Sequence, residues 1–369
     1  SRIFLESTAI YHFPLFCYLV DCGFNASIIN PIITHSTKNG NIRKVKNDKI
    51  DSKGIAKLGL SKDIPVSQFP AKLVLELRSL TRKYYDLTDE RSAHINKLKG
   101  DLHTVFPQYL DVFCDVTGKT STMILRQYGT PDKILRGHKK TMIEKISKAS
   151  RKGLAKASER YEKLCAAANA AKTFGCQIDS IYFNIFLTLD LVEKLDSALD
   201  SILNRIRQLI TFNKNEKFIQ QIKLLNTIPG VGFLTAVTIM CEIGDFSAFR
   251  NPKQLFAYFG LDPEVNESGK FVGTQLHMSK RGSRIARRAI FAVALASIRT
   301  KRNGEGINPY LRKYYELKSG QKPKMVAIGA VMHKVCNIVF AVLRDEKAFE
   351  LRSPEEHCKQ YQRPALAAA

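Results

Sequence analysis

Between Ser268 and Gly304 the sequence contains no aspartate and no glutamate, yet it carries Lys270, Lys280, Arg281, Arg284, Arg287, Arg288, Arg299, Lys301 and Arg302. A solvated helix face normally mixes both signs, so one-signed charge excludes the plainest account and points to a polyanionic partner. The eight cysteines include no C-x-x-C pair. That excludes a zinc ribbon or a disulfide framework, fits reduced thiols in a cytosol, and makes the expected location cytoplasmic. There is no run of 18 apolar residues, so no membrane partner is expected. The chain opens neither on Met nor on a basic-then-apolar leader, so export is not expected and further residues are expected upstream.

What is present is a chain of 369 residues, 44% hydrophobic, enough for two or three domains with real cores. Lys and Arg number 58 against 34 Asp and Glu, a net charge of +24 that favours DNA or RNA as partner. We read four parts: an α/β segment over 1–62, a helical and coiled-coil region over 70–225, a helical C-terminal domain over 226–345, and a polar tail over 346–369. The fold class is α/β plus all-α.

In the first part, Ile3–Leu5 reads as a strand ending in Glu6, followed by a helix over Ala9–Cys22 and a strand in Asn25–Asn30 stopped by Pro31. Lys38–Lys46 is a basic loop, and a helix then runs from Asp48 through Leu60. Strand–helix–strand–helix with short connections suits parallel pairing. Glu6 stands at a strand's C-terminal end, where sites of open α/β sheets gather. Asp48 and Asp51, three apart, share a helix face. Glu6, Asp48 and Asp51 together offer an all-oxygen set for a hard divalent metal, magnesium. The plainer role for Asp48 is a helix N-terminal charge favoured by the dipole.

The second part opens with a long amphipathic helix over 71–102, broken at Phe106-Pro107. Residues 133–163 hold eleven Lys or Arg against three Glu, a second nucleic-acid track or an exposed helix. From 178 to 225 apolar residues recur in steps of three and four, the coiled-coil pattern. It serves either packing within the chain or self-association, and a dimer or tetramer is expected through it.

In the third part, Ile228-Pro229-Gly230-Val231-Gly232 lies between two apolar-periodic segments and reads as a helix–hairpin–helix. Gly230 and Gly232 let the backbone turn tightly and approach a phosphate at the following helix N-terminus. Downstream, Ser279 and Ser283 stand in a glycine-containing loop beside Lys280, Arg281 and Arg284. A hydroxyl flanked by cations can serve as a nucleophile on a phosphate. Ser279 is the first choice, Ser283 (the expected helix cap) the second, Ser268 the third. Near Ser279 in sequence, the only candidate base is His277. Activation is therefore expected from the carboxylate part, through folding or a second subunit.

Taken in order, Glu6-Ser7-Thr8-Ala9-Ile10-Tyr11, Asn30-Pro31, Lys46–Asp51, Ile228–Gly232, Glu242-Ile243-Gly244-Asp245, Phe249–Pro263, Ser268-Gly269 and Ser279–Ala289 resemble the motifs of the DEDD transposases of the insertion-sequence one-ten family. The resemblance covers nearly the whole chain. It implies an RNase H/RuvC-like N-terminal domain, here truncated, and a C-terminal transposase domain. It also implies DNA strand exchange guided by an RNA and a serine linked transiently to a DNA phosphate. Glu6, Asp48 and Asp51 would be catalytic metal ligands, Ser279 the nucleophile, and Gly230, Gly232, Lys270, Lys280, Arg281, Arg284, Arg287 and Arg288 the nucleic-acid contacts. The family tetrad opens with an aspartate on an earlier strand. It is expected upstream, and a protein lacking it is expected to be inactive. The rival readings are a RuvC-like structure-specific nuclease that uses water, and a non-catalytic nucleic-acid-binding scaffold.

Overall fold

Two apolar strands begin the chain, β1 (Arg2–Glu6) and β2 (Asn25–Ile29), joined by helix α1 (His12–Asp21). They pair in parallel from Arg2 opposite Asn25 to Glu6 opposite Ile29. The Ser7 amide carries the ladder one step further, onto the Ile29 carbonyl at 2.9 Å. Helix α2 (Asp48–Ser61) lies against β1 so closely that a Cβ on Gly59 would stand 2.5 Å from the Phe4 ring. The computed structural model describes residues 2–7, 11–29, 48–61, 71–264, 267–268, 271–272, 277–353 and 355–356, of which Asp48, 267–268 and 271–272 by backbone only. The Asn30-Pro31 motif, the loop 38–46 and Lys270 lie outside the described residues. The chain divides into two compact units, Ser1–Lys72 and Leu73–Ala369.

In order, the second unit contains α3 (Lys72–Val105), α4 (Tyr109–Val112), α5 (Lys119–Gln127), α6 (Pro131–Arg136), α7 (Lys139–Ser150), α8 (Leu154–Phe174) and α9 (Asp179–Phe212). After these come α10 (Lys217–Leu225), α11 (Phe233–Ile243), α12 (Pro252–Tyr258), the short strands β3 (Glu267–Ser268) and β4 (Phe271–Val272), α13 (Arg284–Ile298), α14 (Pro309–Ser319) and α15 (Lys324–Asp345). Helices α3 and α9 have 34 residues each, about 50 Å at 1.5 Å per residue. They run antiparallel between two cores. Leu98, Leu102 and Val105 of α3 join Tyr182, Ile185 and Leu189 of α9 in one core with α4–α8. Leu73 and Leu77 join Ile206 and Ile210 in the other, with α10–α15. Between the cores, the Arg91 guanidinium grips Asp196 through both carboxylate oxygens, at 2.5 and 3.2 Å.

Two expectations change here. The 178–225 pattern is two helices rather than one, because Asn213–Glu216 turns the chain between α9 and α10. Its apolar stripe (Ile185, Leu189, Val192, Leu199, Ile206) is buried within the chain. Phe183, Leu187 and Leu191 lie exposed on α9, four residues apart. The apolar helix α15 is long enough to cross a bilayer, but Val331, Val335, Val339 and Leu343 are buried in the C-terminal core. The seven described cysteines form no disulfide.

Candidate functional site

The helical unit presses two backbone segments together without side chains between them. A Cβ on Gly282 would stand 2.0 Å from the Tyr258 carbonyl oxygen and 2.5 Å from the Phe259 carbonyl carbon. One on Gly260, whose φ is +66°, would stand 2.4 Å from the Gly282 nitrogen. Only glycine fits at either position. Arg287 fastens the crossing, donating to the Phe259 and Gly282 carbonyls at 3.2 and 2.7 Å. Above it the two strands of chain continue side by side, with Pro263 bridging Met278 and the Glu264 amide donating to the His277 carbonyl at 2.7 Å.

Ser279 stands in this ladder. Its amide donates to the Asp262 carbonyl at 2.8 Å and its hydroxyl to Asp262 Oδ1 at 2.6 Å. A hydroxyl held by a carboxylate at this distance has a proton acceptor in place. Sequence spacing offered only His277; the fold brings Asp262 from seventeen residues upstream. Chain reversal at the crossing creates this pair, and no local motif announces it. The next residue, Lys280, takes a left-handed φ of 53°, a backbone state that costs a non-glycine residue about 1–2 kcal/mol. Its amide donates to the Gly260 carbonyl at 3.1 Å.

Ser283 caps α13, accepting from the Ala286 amide at 3.2 Å, and its hydroxyl also engages Glu242. Glu242, at the end of α11, is buried and receives both prongs of the Arg82 guanidinium at 2.9 and 3.0 Å. Burial alone would raise its carboxyl. The Arg82 fork, the Ser283 hydroxyl and the nearby Arg78 outweigh it and hold Glu242 below the ordinary value of 4.5. Glu242→Gln should cost about 2 kcal/mol in urea unfolding at neutral pH, since half-exposed Arg82 can turn to water. A carboxyl lowered on folding stabilises above its unfolded value and loses that contribution as pH falls through the folded one. The gap between wild type and variant should therefore narrow as pH falls below the ordinary carboxyl value of 4.5. An unchanged gap would place the cost elsewhere.

The expected cations divide. Lys280, Arg281 and Arg284 are exposed. Arg288 is tied to Asp89 at 2.7 Å and lies over the Tyr85 ring at 4.8 Å, and Arg287 is the clamp described above. Burial without a carboxylate partner lowers the Arg287 guanidinium from its ordinary value. Ser268 is in β3, on the excursion that leaves at Glu264 and returns at His277.

At the hairpin, α10 and α11 are joined by a turn with Gly230 at φ +96°. The close approach this glycine permits is to Ser297 of α13, whose hydroxyl a Cβ would meet at 2.5 Å and which donates to the Pro229 carbonyl. The expected approach to phosphate at this position is thus taken by protein. Gly232 differs: it is exposed, has nothing within 4 Å of a Cβ, and caps α11 without a side-chain bond.

In the N-terminal unit, Glu6 ends β1 half-buried, Asp48 opens α2, and Asp51 stands half-buried in its first turn. Among the described residues, no group of three or more His, Cys, Asp or Glu side chains is close enough to hold a metal. The donor chemistry of the three, carboxylate oxygen throughout, fits magnesium.

Two family models match the chain. The Transposase IS116/IS110/IS902 family model covers residues 222–316, the hairpin and the Ser279 ladder. A DEDD transposase model of IS110 covers residues 1–107, the carboxylate strands and α3. Together the two matches describe a class with an α/β carboxylate part and a helical C-terminal part. The chain belongs to the IS116/IS110/IS902 family of transposases. It is 23% identical over 286 residues to the insertion element IS110 uncharacterized 43.6 kDa protein of Streptomyces coelicolor, covering 77% of this chain and 66% of that one. It is 30% identical over 177 residues to the pilin gene-inverting protein of Moraxella bovis, covering 48% and 52%. A transposase for insertion sequence element IS1111A of Coxiella burnetii is 26% identical over 188 residues, covering 49% and 50%. The chain spans about half to two thirds of the length of these relatives.

Proposed function

We propose that the chain is a DNA transposase or recombinase of a mobile insertion sequence, breaking and rejoining strands with a serine nucleophile and a carboxylate-held metal. The observation that carries this is the Ser279–Asp262 pair, whose serine stands in an acid-free basic segment, inside the matched transposase region. Ser279 attacks a phosphate, Asp262 takes its proton, and Lys280, Arg281 and Arg284 balance the charge of the phosphorane. The N-terminal unit is read as RuvC-like, with Glu6, Asp48 and Asp51 as ligands of magnesium. That ion would neutralise charge on the scissile phosphate. The hairpin is read as a helix–hairpin–helix contacting DNA at Gly232 and the start of α11, with Gly230 holding the turn. Lys270 belongs to the same set of contacts.

A guide RNA is the further partner proposed. Self-association, to a dimer or tetramer, is assigned to the exposed Phe183–Leu187–Leu191 stripe of α9. The test is strand exchange between two marked DNA duplexes carrying the element's ends, read by sequencing of joined products, with and without RNA from the element. Joined junctions are expected. Cleavage to hydrolysed ends alone would favour a water-using nuclease, and binding without breakage a scaffold.

A further inference from the structure

The two family matches leave residues 108–221 uncovered, and the most basic stretch of that region forms a surface of its own. Helices α7 and α8 pack side by side, joined by Arg151-Lys152-Gly153. Their inner faces are anchored through Met142, Ile146, Ala157 and Leu164, all buried in the core with α4–α6. The outer side of the junction carries Lys148, Arg151, Lys152 and Lys156, all exposed. None of these four has a carboxylate within 4.0 Å among the described residues.

Along α8 the charge continues on one face, at Lys156, Arg160 and Lys163, over about 10 Å of helix. Together with Lys152 these line a cleft of about 390 Å³, whose two carboxylates are Asp111 and Glu159. Glu159 is held by Lys163 at 2.8 Å, and Arg160 lies over the Phe113 ring at 5.6 Å. The cleft therefore has an excess of cations over carboxylates.

Helix stability does not account for this arrangement. The first turn of α8 holds no acid and carries Lys156, where the helix dipole disfavours a cation. Arg151 occupies a left-handed φ of 53° after α7, a position glycine takes without strain. A bound anion would relieve the mutual repulsion among Lys148, Arg151, Lys152 and Lys156.

We infer that the α7–α8 junction and the cleft beside it form a second nucleic-acid-binding surface, taking the phosphate backbone of an RNA or a DNA duplex apart from the Ser279 site. The inference rests on the reading of the chain as a protein that acts on nucleic acid. Phosphates follow one another about every 3.4 Å of axis along a duplex strand, so the 10 Å row of α8 spans about three of them. Contact is with the backbone, so it adds affinity and salt dependence without base specificity.

The test compares the full chain with its Lys148→Gln/Lys152→Gln/Lys156→Gln variant, binding a duplex DNA and an RNA hairpin of equal length across a salt series. Thermal melting and circular dichroism should coincide with wild type, because all three side chains are exposed. The plot of log K against log salt should lose about two to three units of slope, with affinity at low salt reduced roughly tenfold or more. Loss confined to the hairpin assigns the surface to RNA; loss confined to the duplex assigns it to DNA. Wild-type and variant slopes that agree for both ligands overturn the inference and leave the proposed function standing. Failure of the wild type to bind either nucleic acid overturns both.

Discussion

Ser279→Ala protein, incubated with a DNA substrate and magnesium, should form no covalent protein–DNA adduct and join no strands, while binding DNA as the wild type does. In the reaction proposed, an O–P bond forms to Ser279 Oγ and one P–O bond to deoxyribose breaks. The serine proton passes to Asp262 and from there to solvent, and the departing oxygen takes up a proton from solvent water, so it leaves as a hydroxyl. A serine hydroxyl at its free pKa is a poor nucleophile, so its partner at 2.6 Å sets the rate. Asp262→Asn should retain the adduct on Ser279 but slow its formation by about 100- to 10,000-fold. Ser283→Ala should keep the adduct and lose about 1 kcal/mol of stability, because that hydroxyl caps α13. Peptide mapping of the trapped adduct provides the decisive check. An adduct that survives Ser279→Ala and maps to Ser268 would move the nucleophile onto β3, and no adduct under any condition would favour hydrolysis by water.

Asp48→Asn/Asp51→Asn protein should lose strand exchange by about a thousandfold or more, since a metal at a scissile phosphate contributes several kcal/mol and each 1.36 kcal/mol is tenfold. DNA affinity should stay within about twofold of wild type, because backbone binding rests on cations that the change leaves in place. Titration calorimetry with magnesium gives a readout independent of turnover: the wild type should bind the ion and the double variant, or Glu6→Gln, should not. Mixing Ser279→Ala with Asp48→Asn protein should restore part of the activity if two subunits share a site. Exchange at the wild-type rate by the double variant would remove these carboxylates from the reaction.

Periodicity made the long elements legible. The stripes that give α3, α13 and α15 run unbroken in the sequence, and the two parallel strands follow from short apolar runs closed by polar residues. The break between α9 and α10 was not legible, because Leu209, Phe212, Ile219 and Ile222 keep the helical spacing across a turn made by backbone bonds at Asn213 and Glu216. At the site, sequence supplied the basic segment and the serines but not their partners. Glu242 stands in a motif with no hint that it would be buried against Arg82, 160 residues away. Arg287 and Arg288 read as nucleic-acid contacts by charge alone. Only three dimensions reveal that one fastens two carbonyls and the other is neutralised by Asp89.

The glycine crossing has a consequence for how such a protein can diverge. Glu264 and His277 meet at the mouth of the excursion, and Gly260 and Gly282 interlock beneath it. The placement of Ser279 is thus decided below the mouth, by atoms that no side chain can replace. Changes of sequence between Glu264 and His277 should therefore leave Ser279 and Asp262 in register, whereas a side chain added at Gly260 or Gly282 should part them. Inherited variation should stop at this frame, whose foundation is backbone alone.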